Sequence, residues 1–362
     1  MAADELTFRW GILGAGYVAR KFVLGLRHAE IPATAAVVAS RSSANAERFA
    51  RELSIPSVAA SYEEAVEAEG IDAYYVATPP REHRPLALLC LRAGKPVLVE
   101  KPLAMDAAAA EEIVDAARSS SVFCMEGMWT RFLPLVRELK QLVDGGGIGE
   151  IRAVTGSFGS ATAPSVNRNL FDKDLGGGAL LHRGVYPLSM ACHLLGSPVD
   201  VTSRATLGET GVDEDSTVVA RHVNGGITTA YSSLRTQPAN DCSILGTTGT
   251  VHLQAPIYRP SRMTVARVLA ARAGGSRGMR WERLREGALL QEAHQRAGRL
   301  PGLARRGGSR TVTRYYGGNG YHYEADEVAR AVRAGALESD VMPLGESVEI
   351  ARAMTSARAQ WT

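Results

Sequence analysis

Residues 8–29, FRWGILGAGYVARKFVLGLRHA, hold the decision about the fold. The apolar run FRWGIL runs into a glycine turn and then a segment whose apolar residues recur at helical spacing. Strand, glycine turn and helix in that order are the setting a dinucleotide fingerprint needs. Gly14, Gly16 and Ala19 there fit G-x-G-x-x-A. Gly14 permits the tight turn, Gly16 lets main chain approach a pyrophosphate, and Ala19 allows the helix to pack close to the strand. Tyr17 and Val18 open the helix, whose free N–H groups face an anion. The alternative is a glycine turn selected for packing alone.

The alternation continues outward. ATAAVVAS (33–40), IDAYYVATPP (71–80), KPVLVEKPL (95–103) and VFCMEG (122–127) read as buried strands. SANAERFARELS (43–54), REHRPLALLCLRAG (81–94) and DAAAAEEIVDAARSSS (106–121) read as the helices between them. This is the order of a doubly wound parallel sheet, an α/β fold of the Rossmann type. At the end of the second strand an NAD-binding chain usually carries a carboxylate for the ribose 2′-hydroxyl. This chain has Ser40, Arg41 and Ser42, a hydroxyl and guanidinium set that suits a 2′-phosphate. NADP is therefore expected over NAD, against the reading of Arg41 as a solvated loop residue.

After Gly127 the strict alternation stops. IRAVTGSFGS, VDVTSRATLG, DSTVVARHV, GITTAYSSLR and NDCSILGTTGTVHLQ read as successive strands of a different sheet, with GTTGT as a hairpin turn. Two domains are expected, 1–127 and 128–362, and 362 residues exceed what a single core usually holds. A hydrophobic share of 45% and a charged share of 22% are those of a soluble globular protein. No apolar run is long enough to span a membrane, and the acidic N-terminus lacks a signal-peptide pattern. Cys90, Cys124, Cys192 and Cys242 lie far apart without metal-ligand spacing, which reads as buried thiols in a reducing cytoplasm. Net charge is +3, yet residues 259–314 hold 14 arginines against Glu282, Glu286 and Glu292. A solvated, arginine-rich insertion at about 263–312 is preferred over nucleic-acid binding, since a nucleic-acid motif and interleaved aromatics are lacking.

At VEKPLAMD the pattern becomes specific. Together with GILGAGYVA, VVASRS, VATPPREH, MEGMWTRFLP, GGGALLHRGVYPL and GYHYEADEVARAV, it resembles the Gfo/Idh/MocA oxidoreductases. Within them it is most similar to the branch of dimeric dihydrodiol dehydrogenases and its bacterial relatives. The resemblance implies a Rossmann domain followed by a C-terminal α/β domain on a largely antiparallel open sheet. One face of that sheet would cover the nicotinamide and the other would serve a homodimer or higher homo-oligomer. It makes Lys101 the catalytic lysine and Tyr186 the proton donor, its phenol acidified by the neighbouring ammonium. Thr78, Pro79, His83 and Glu100 fall beside the cofactor. Trp129, Arg131 and Phe132 fall at the domain junction, where pocket lining and interdomain packing are equally open. Residues 182 and 183, usually Asp and an apolar residue in the family, are His182 and Arg183 here. Either His182 joins the site and Arg183 selects an anionic substrate, or hydride transfer is weakened and the protein is an NADP(H)-binding sensor. The leading expectation is an NADP-dependent oxidoreductase of a cyclic polyol, sugar or dihydrodiol-like alcohol and its ketone. A ketoreductase of nucleotide-activated deoxysugars is the rival within the class. No metal set is expected.

Overall fold

The computed structural model describes residues 7–268 and 308–361. Strands β1 (Phe8–Leu13), β2 (Ala33–Ala39), β3 (Ser57–Val58), β4 (Ala73–Val76), β5 (Val97–Glu100) and β6 (Cys124–Gly127) form one sheet in the order β3-β2-β1-β4-β5-β6. Every pairing is parallel. The crossovers carry helices α1 (Tyr17–Gly25), α2 (Ser43–Leu53), α3 (Tyr62–Glu67), α4 (His83–Arg92) and α5 (Ala107–Ser120). The strand order reverses between β1 and β4, which opens a crevice at their carboxyl ends. Trp10 meets Phe22 edge-on and Phe22 stacks on Tyr75 at 3.9 Å, fixing α1 to the sheet. The sequence reading lacked β3 and α3. A two-residue edge strand and a six-residue helix are too short to show a period, although the Ser61 hydroxyl that caps α3 by accepting from Glu64 N was a readable start signal.

The second sheet holds β7 (Ile151–Gly159), β8 (Pro198–Leu207), β9 (Asp213–His222), β10 (Ile227–Ser233), β11 (Cys242–Gly246), β12 (Gly249–Leu253), β13 (Arg262–Arg267) and β14 (Ser309–Thr313). Its order is β14-β13-β12-β11-β7-β10-β9-β8, antiparallel except for the central β7–β10 pair. The architecture is thus the expected one, a Rossmann sheet followed by a largely antiparallel sheet. The expected insertion at about 263–312 is narrower than that range. Arg262–Arg267 and Ser309–Thr313 are paired strands, because they alternate buried Met263, Val265 and Val312 with outward polar residues. The stretch between them lies outside the described residues.

Helices α6 (Pro134–Asp144) and α7 (Val185–Leu195) follow β6 and precede β8, and α8 (His322–Arg333) and α9 (Leu344–Arg358) close the chain. The last two return to the first half. Leu344, Val348 and Ala351 of α9 join the core around Val97, Ile113 and Cys124. Asp326 of α8 accepts from the amides of Glu30 and Ile31. All four cysteines are free and buried. Among the described residues no helix is long and apolar enough to cross a membrane, and no group of side chains has the makings of a metal site.

Candidate active site

The glycine turn comes first. Gly14 has φ +113°, and a Cβ there would sit 2.5 Å from Ala77 O, so both conformation and space demand glycine. At Gly16 the protein itself makes no such demand. A Cβ would meet nothing closer than Ala77 O at 4.0 Å, and the residue is exposed. The empty side of Gly16 is where an external main-chain-hugging group fits. Gly16 caps α1 without a side-chain hydrogen bond and the first turn holds no acid, so the N–H groups at Tyr17 and Val18 stay open to an anion. Tyr17 is 74% exposed, while Ala19 is buried against the sheet. The Thr78 hydroxyl, at the end of β4 before Pro79, is buried without a partner. An orphaned donor, a free helix terminus and an open glycine suit a dinucleotide. Ser40 and exposed Arg41 follow the end of β2, and Arg41 forms no ion pair among the described residues. Ser42 Oγ accepts from Asn45 N and so caps α2.

Beyond β5 lies Lys101. Its Nζ donates to His182 O at 3.0 Å and stands 5.2 Å from the centroid of the Tyr186 ring. Residues 81 and 85 positions apart are brought together by a π-helical turn, Leu180–Gly184, that leads into α7. In this turn the amide of Val185 reaches back five residues to Leu180 O, and His182 O accepts from the ammonium. Pro187 lies in the first turn of α7, where proline is tolerated. Burial draws the Lys101 pKa below its usual value, against the opposing pull of Glu100 and Glu126.

One expectation is overturned here. Burial, reinforced by Glu100, pushes the Tyr186 phenol well above its ordinary value. The ammonium approaches the ring face rather than the hydroxyl, and the hydroxyl accepts from Trp129 Nε1 at 3.3 Å. The phenol is a reluctant acid that stays protonated.

His182 is neutral: burial, then Lys101, lower its pKa to about 3, and its Nε2 lies 3.1 Å from Gly176 O. Arg183 is buried and donates to Ser160 O at 2.6 Å, to Thr162 Oγ1 at 2.8 Å and to Ser233 O. No carboxylate pairs with it among the described residues, and burial lowers its pKa only to about 10, so the cation persists. Trp129 stacks on Tyr321 at 4.5 Å, and Tyr186 packs edge-on against Phe158 at 5.4 Å. Tyr258 stacks on Phe158 at 5.0 Å and completes an aromatic wall.

Other expected members go elsewhere. His83 has Nδ1 2.8 Å from Pro102 O and Nε2 2.9 Å from Thr78 O, and burial lowers its pKa to about 4. Both nitrogens face main-chain carbonyls, so the neutral ring, with its single N–H, donates to one of the two, and neither nitrogen is left for the nicotinamide ribose expected beside it. Glu100 accepts from Tyr75 Oη at 2.5 Å and from Lys101 N at 3.1 Å, and burial pushes it up to about 7. Its carboxyl is therefore turned into the protein. Arg131 is buried and bonded to Ser189 Oγ and O, to Val341 O and to Glu346 at 2.6 Å. Phe132 is core. Both are packing residues, and Trp129, buried in the same core as Phe132, meets the site through its bond to the Tyr186 hydroxyl. Phe158, Tyr258 and Tyr321 were absent from the sequence reading, as was Glu324, a fully buried carboxyl whose oxygens have no partner and whose pKa burial and Glu100 raise.

Two family models match the chain: the oxidoreductase family with an NAD-binding Rossmann fold over residues 8–128, and the GFO/IDH/MocA C-terminal domain over residues 136–252. The chain is 32% identical over 360 residues to trans-1,2-dihydrobenzene-1,2-diol dehydrogenase of Danio rerio, covering 98% of this chain and 97% of the relative. It is 31% identical over 358 residues to the Bos taurus enzyme of that name, covering 98% and 96%. Among solved structures, levoglucosan dehydrogenase in complex with NADH and levoglucosan superposes with TM-score 0.81 at 19% identity, covering 98% and 96%. A 3-ketoreductase from Actinomadura kijaniata in complex with NADP and TDP-benzene gives 0.78 at 22%, covering 98% of both chains. With two family domains in register and near-complete coverage at about a third identity, the chain belongs to the Gfo/Idh/MocA family of oxidoreductases.

Proposed function

We propose that the protein is an NADP-dependent oxidoreductase that moves hydride between nicotinamide and a carbinol carbon of a small cyclic polyol, sugar or dihydrodiol. The observation that carries this reading is the Lys101 ammonium fixed at His182 O beside the Tyr186 ring, across the domain junction from the open Gly16 helix terminus. The relatives named for dihydrodiol oxidation support the substrate class.

Bound NADP supplies hydride acceptance and donation. The chain supplies the rest. Gly14, Gly16, Tyr17 and Val18 hold the pyrophosphate, Ser40 and Arg41 the 2′-phosphate, and Thr78 and Pro79 the nicotinamide side. A carbinol oxygen gains or loses a proton whenever its carbon loses or gains hydride, so a proton carrier must sit within hydrogen-bond reach of it. Lys101 polarises that oxygen and carries the proton. Tyr186 remains a neutral donor that orients the oxygen. Trp129, Phe158, Tyr258 and Tyr321 wall the site with aromatic surface, which binds a ring and excludes water.

A ketoreductase of nucleotide-activated deoxysugars is the second reading. It is favoured by Arg183, a buried cation with no carboxylate partner among the described residues, which leaves positive potential for an anionic substrate. We further propose a homodimer through the uncovered face of the second sheet and, from the four buried thiols, a cytoplasmic setting. The test is NADPH fluorescence quenching followed by turnover of a polyol, sugar and dihydrodiol panel. The expected result is turnover with NADP+ that Arg41→Ala weakens at least about tenfold in kcat/KM, from the lost charge-assisted contact, with NAD+ turnover unchanged. Quenching without turnover, insensitive to Lys101→Ala, would instead support a sensor.

A further inference from the structure

The triple glycine that leads into the π-turn faces a carboxylate that the chemistry so far leaves unused. Asp213, at the start of β9, is only 4% exposed, and its Oδ2 accepts from Leu180 N at 2.7 Å. Leu180 opens the π-turn, and the first amides of a helical run have no carbonyl of that run behind them. The carbonyl four residues back, Gly176 O, is engaged by His182 Nε2 at 3.1 Å. A carboxylate from another strand therefore caps the turn, where its charge also suits a helix N-terminus. Gly178 makes room for it: its φ is +118°, and a Cβ there would run into Asp213 Oδ1. The support reaches the far end of the turn as well. Ser216 Oγ donates to Asp213 Oδ2 at 3.0 Å, so it accepts from Ser232 Oγ, 2.8 Å away. Ser232 Oγ underlies Gly184, where a Cβ would lie 2.9 Å from it. Between those two ends sits His182, whose carbonyl holds the Lys101 ammonium.

We propose that Asp213 is a positioning residue for Lys101: as a carboxylate it holds the π-turn in the shape that presents His182 O to the ammonium, and protonating it loosens that hold and slows turnover. This rests on the oxidoreductase reading above. Burial raises the Asp213 carboxyl to about 6, against the pull of Leu180 N, Ser216 and Arg358. Arg358 of α9, Lys173 of the turn before the glycines and Asp106 at the start of α5 are the charged groups that line the same cleft. As pH falls through about 6 the carboxylate takes a proton, its two bonds lose their charge assistance, and the rate falls. In ketone reduction the ammonium is fully present at that pH, so Lys101 itself supplies no limb there. Glu100, raised to about 7, and Glu126, also raised by burial, are the other carboxyls near Lys101.

The test is the pH profile of kcat with NADPH and the ketone of the best substrate in the panel, measured in the parent, Asp213→Asn and Ser216→Ala. The parent should lose rate below about pH 6. Asp213→Asn, uncharged at every pH, should lose that limb and run about tenfold slower on its plateau, with KM for NADPH unchanged. Ser216→Ala removes a donor to the carboxylate and should move the limb about one unit to higher pH, the size of one lost hydrogen bond to a charged group. A second readout needs no turnover. Acylation of Lys101 by an N-hydroxysuccinimide ester at neutral pH, read by peptide mapping against Lys140 in the same protein, should quicken about tenfold in Asp213→Asn, because the ammonium loses its acceptor. Melting temperature verifies folding, and where Asp213→Asn does not fold, Ser216→Ala decides in its place. An acid limb that stays put in both variants belongs to Glu100 or Glu126 and overturns the proposal, as does Lys101 acylation that Asp213→Asn leaves unchanged. If no substrate of the panel is turned over, the oxidoreductase reading fails for these substrates, and the acylation ratio still decides the role of Asp213.

Discussion

At the residue scale the proton chemistry turns on Lys101. An ammonium in the open solvent would keep its proton until about pH 10.4. Here burial lowers that value, and Glu100 and Glu126 only partly restore it. The sign follows directly. Reduction of a ketone needs the ammonium as the proton source, so the rate falls as pH rises through the lowered value, earlier than for a solvated lysine. Oxidation needs the amine and gains over the same range. Tyr186 gives no limb in the working range, since its phenol ionises well above the ordinary value of 10.0. Lys101→Met should therefore lower kcat by about 10²–10⁴-fold, the usual worth of a positioned acid or base. It should also abolish the alkaline limb of the reduction profile while NADPH still quenches. A limb that persists in Lys101→Met would assign it to another group.

At the element scale the segment 129–132 shows how far sequence alone reaches. Trp129, Arg131 and Phe132 sit in one short helical turn, and their identities fit pocket and packing equally well. The turn points them apart: Trp129 to the Tyr186 hydroxyl, Arg131 to Ser189 and Glu346, and Phe132 into the core. Arg131 is 1% exposed and its ion pair is with Glu346, so removing the guanidinium leaves a partly buried carboxylate and three acceptors, Ser189 Oγ, Ser189 O and Val341 O, unpaired. Arg131→Met should destabilise the fold by about 2–4 kcal/mol, near the cost of breaking a buried pair. Melting curves test that number. KM for the substrate should stay unchanged in the folded fraction; a rise in KM would return Arg131 to the pocket. The Rossmann half, by contrast, was legible because its strands, turns and helices are each set by neighbours a few residues away. The site was legible only where a motif fixes a residue to an element end, as at Gly14, Gly16 and Lys101. The π-turn and the aromatic wall were not, because Phe158, Tyr258 and Tyr321 come from three distant elements with no local period in common.

At the scale of the whole molecule, the described residues leave one face of the second sheet uncovered. Register lines up Thr202, Val219, Thr229, Thr155, Ser243 and His252 across six neighbouring strands on that face. Ile227 and Leu245 lie on the adjoining row. Val219, Ile227 and Leu245 are 42%, 48% and 40% exposed. The inner face of the same strands carries Val218, Ala220, Ala230 and Ile244, all buried. Short hydroxyl and β-branched side chains make the outer face flat, and its charges stand toward the two edges, Asp200, Arg204, Asp215 and Arg221 on β8 and β9 and Arg262 on β13. A flat, centrally uncharged sheet with exposed apolar residues is the kind of surface that associates, and a second copy related by a two-fold axis presents the same rows to it. Two lysines at its centre would face two more across that axis, and burying four unpaired ammonium groups is prohibitive. Val219→Lys with Ile227→Lys should therefore convert a dimer into a monomer in analytical ultracentrifugation. The substitutions lie on the sheet face opposite the buried core residues, so NADPH affinity should be retained. A parent protein that sediments as a monomer at micromolar concentration, or a double variant that still dimerises, would remove this face as the interface.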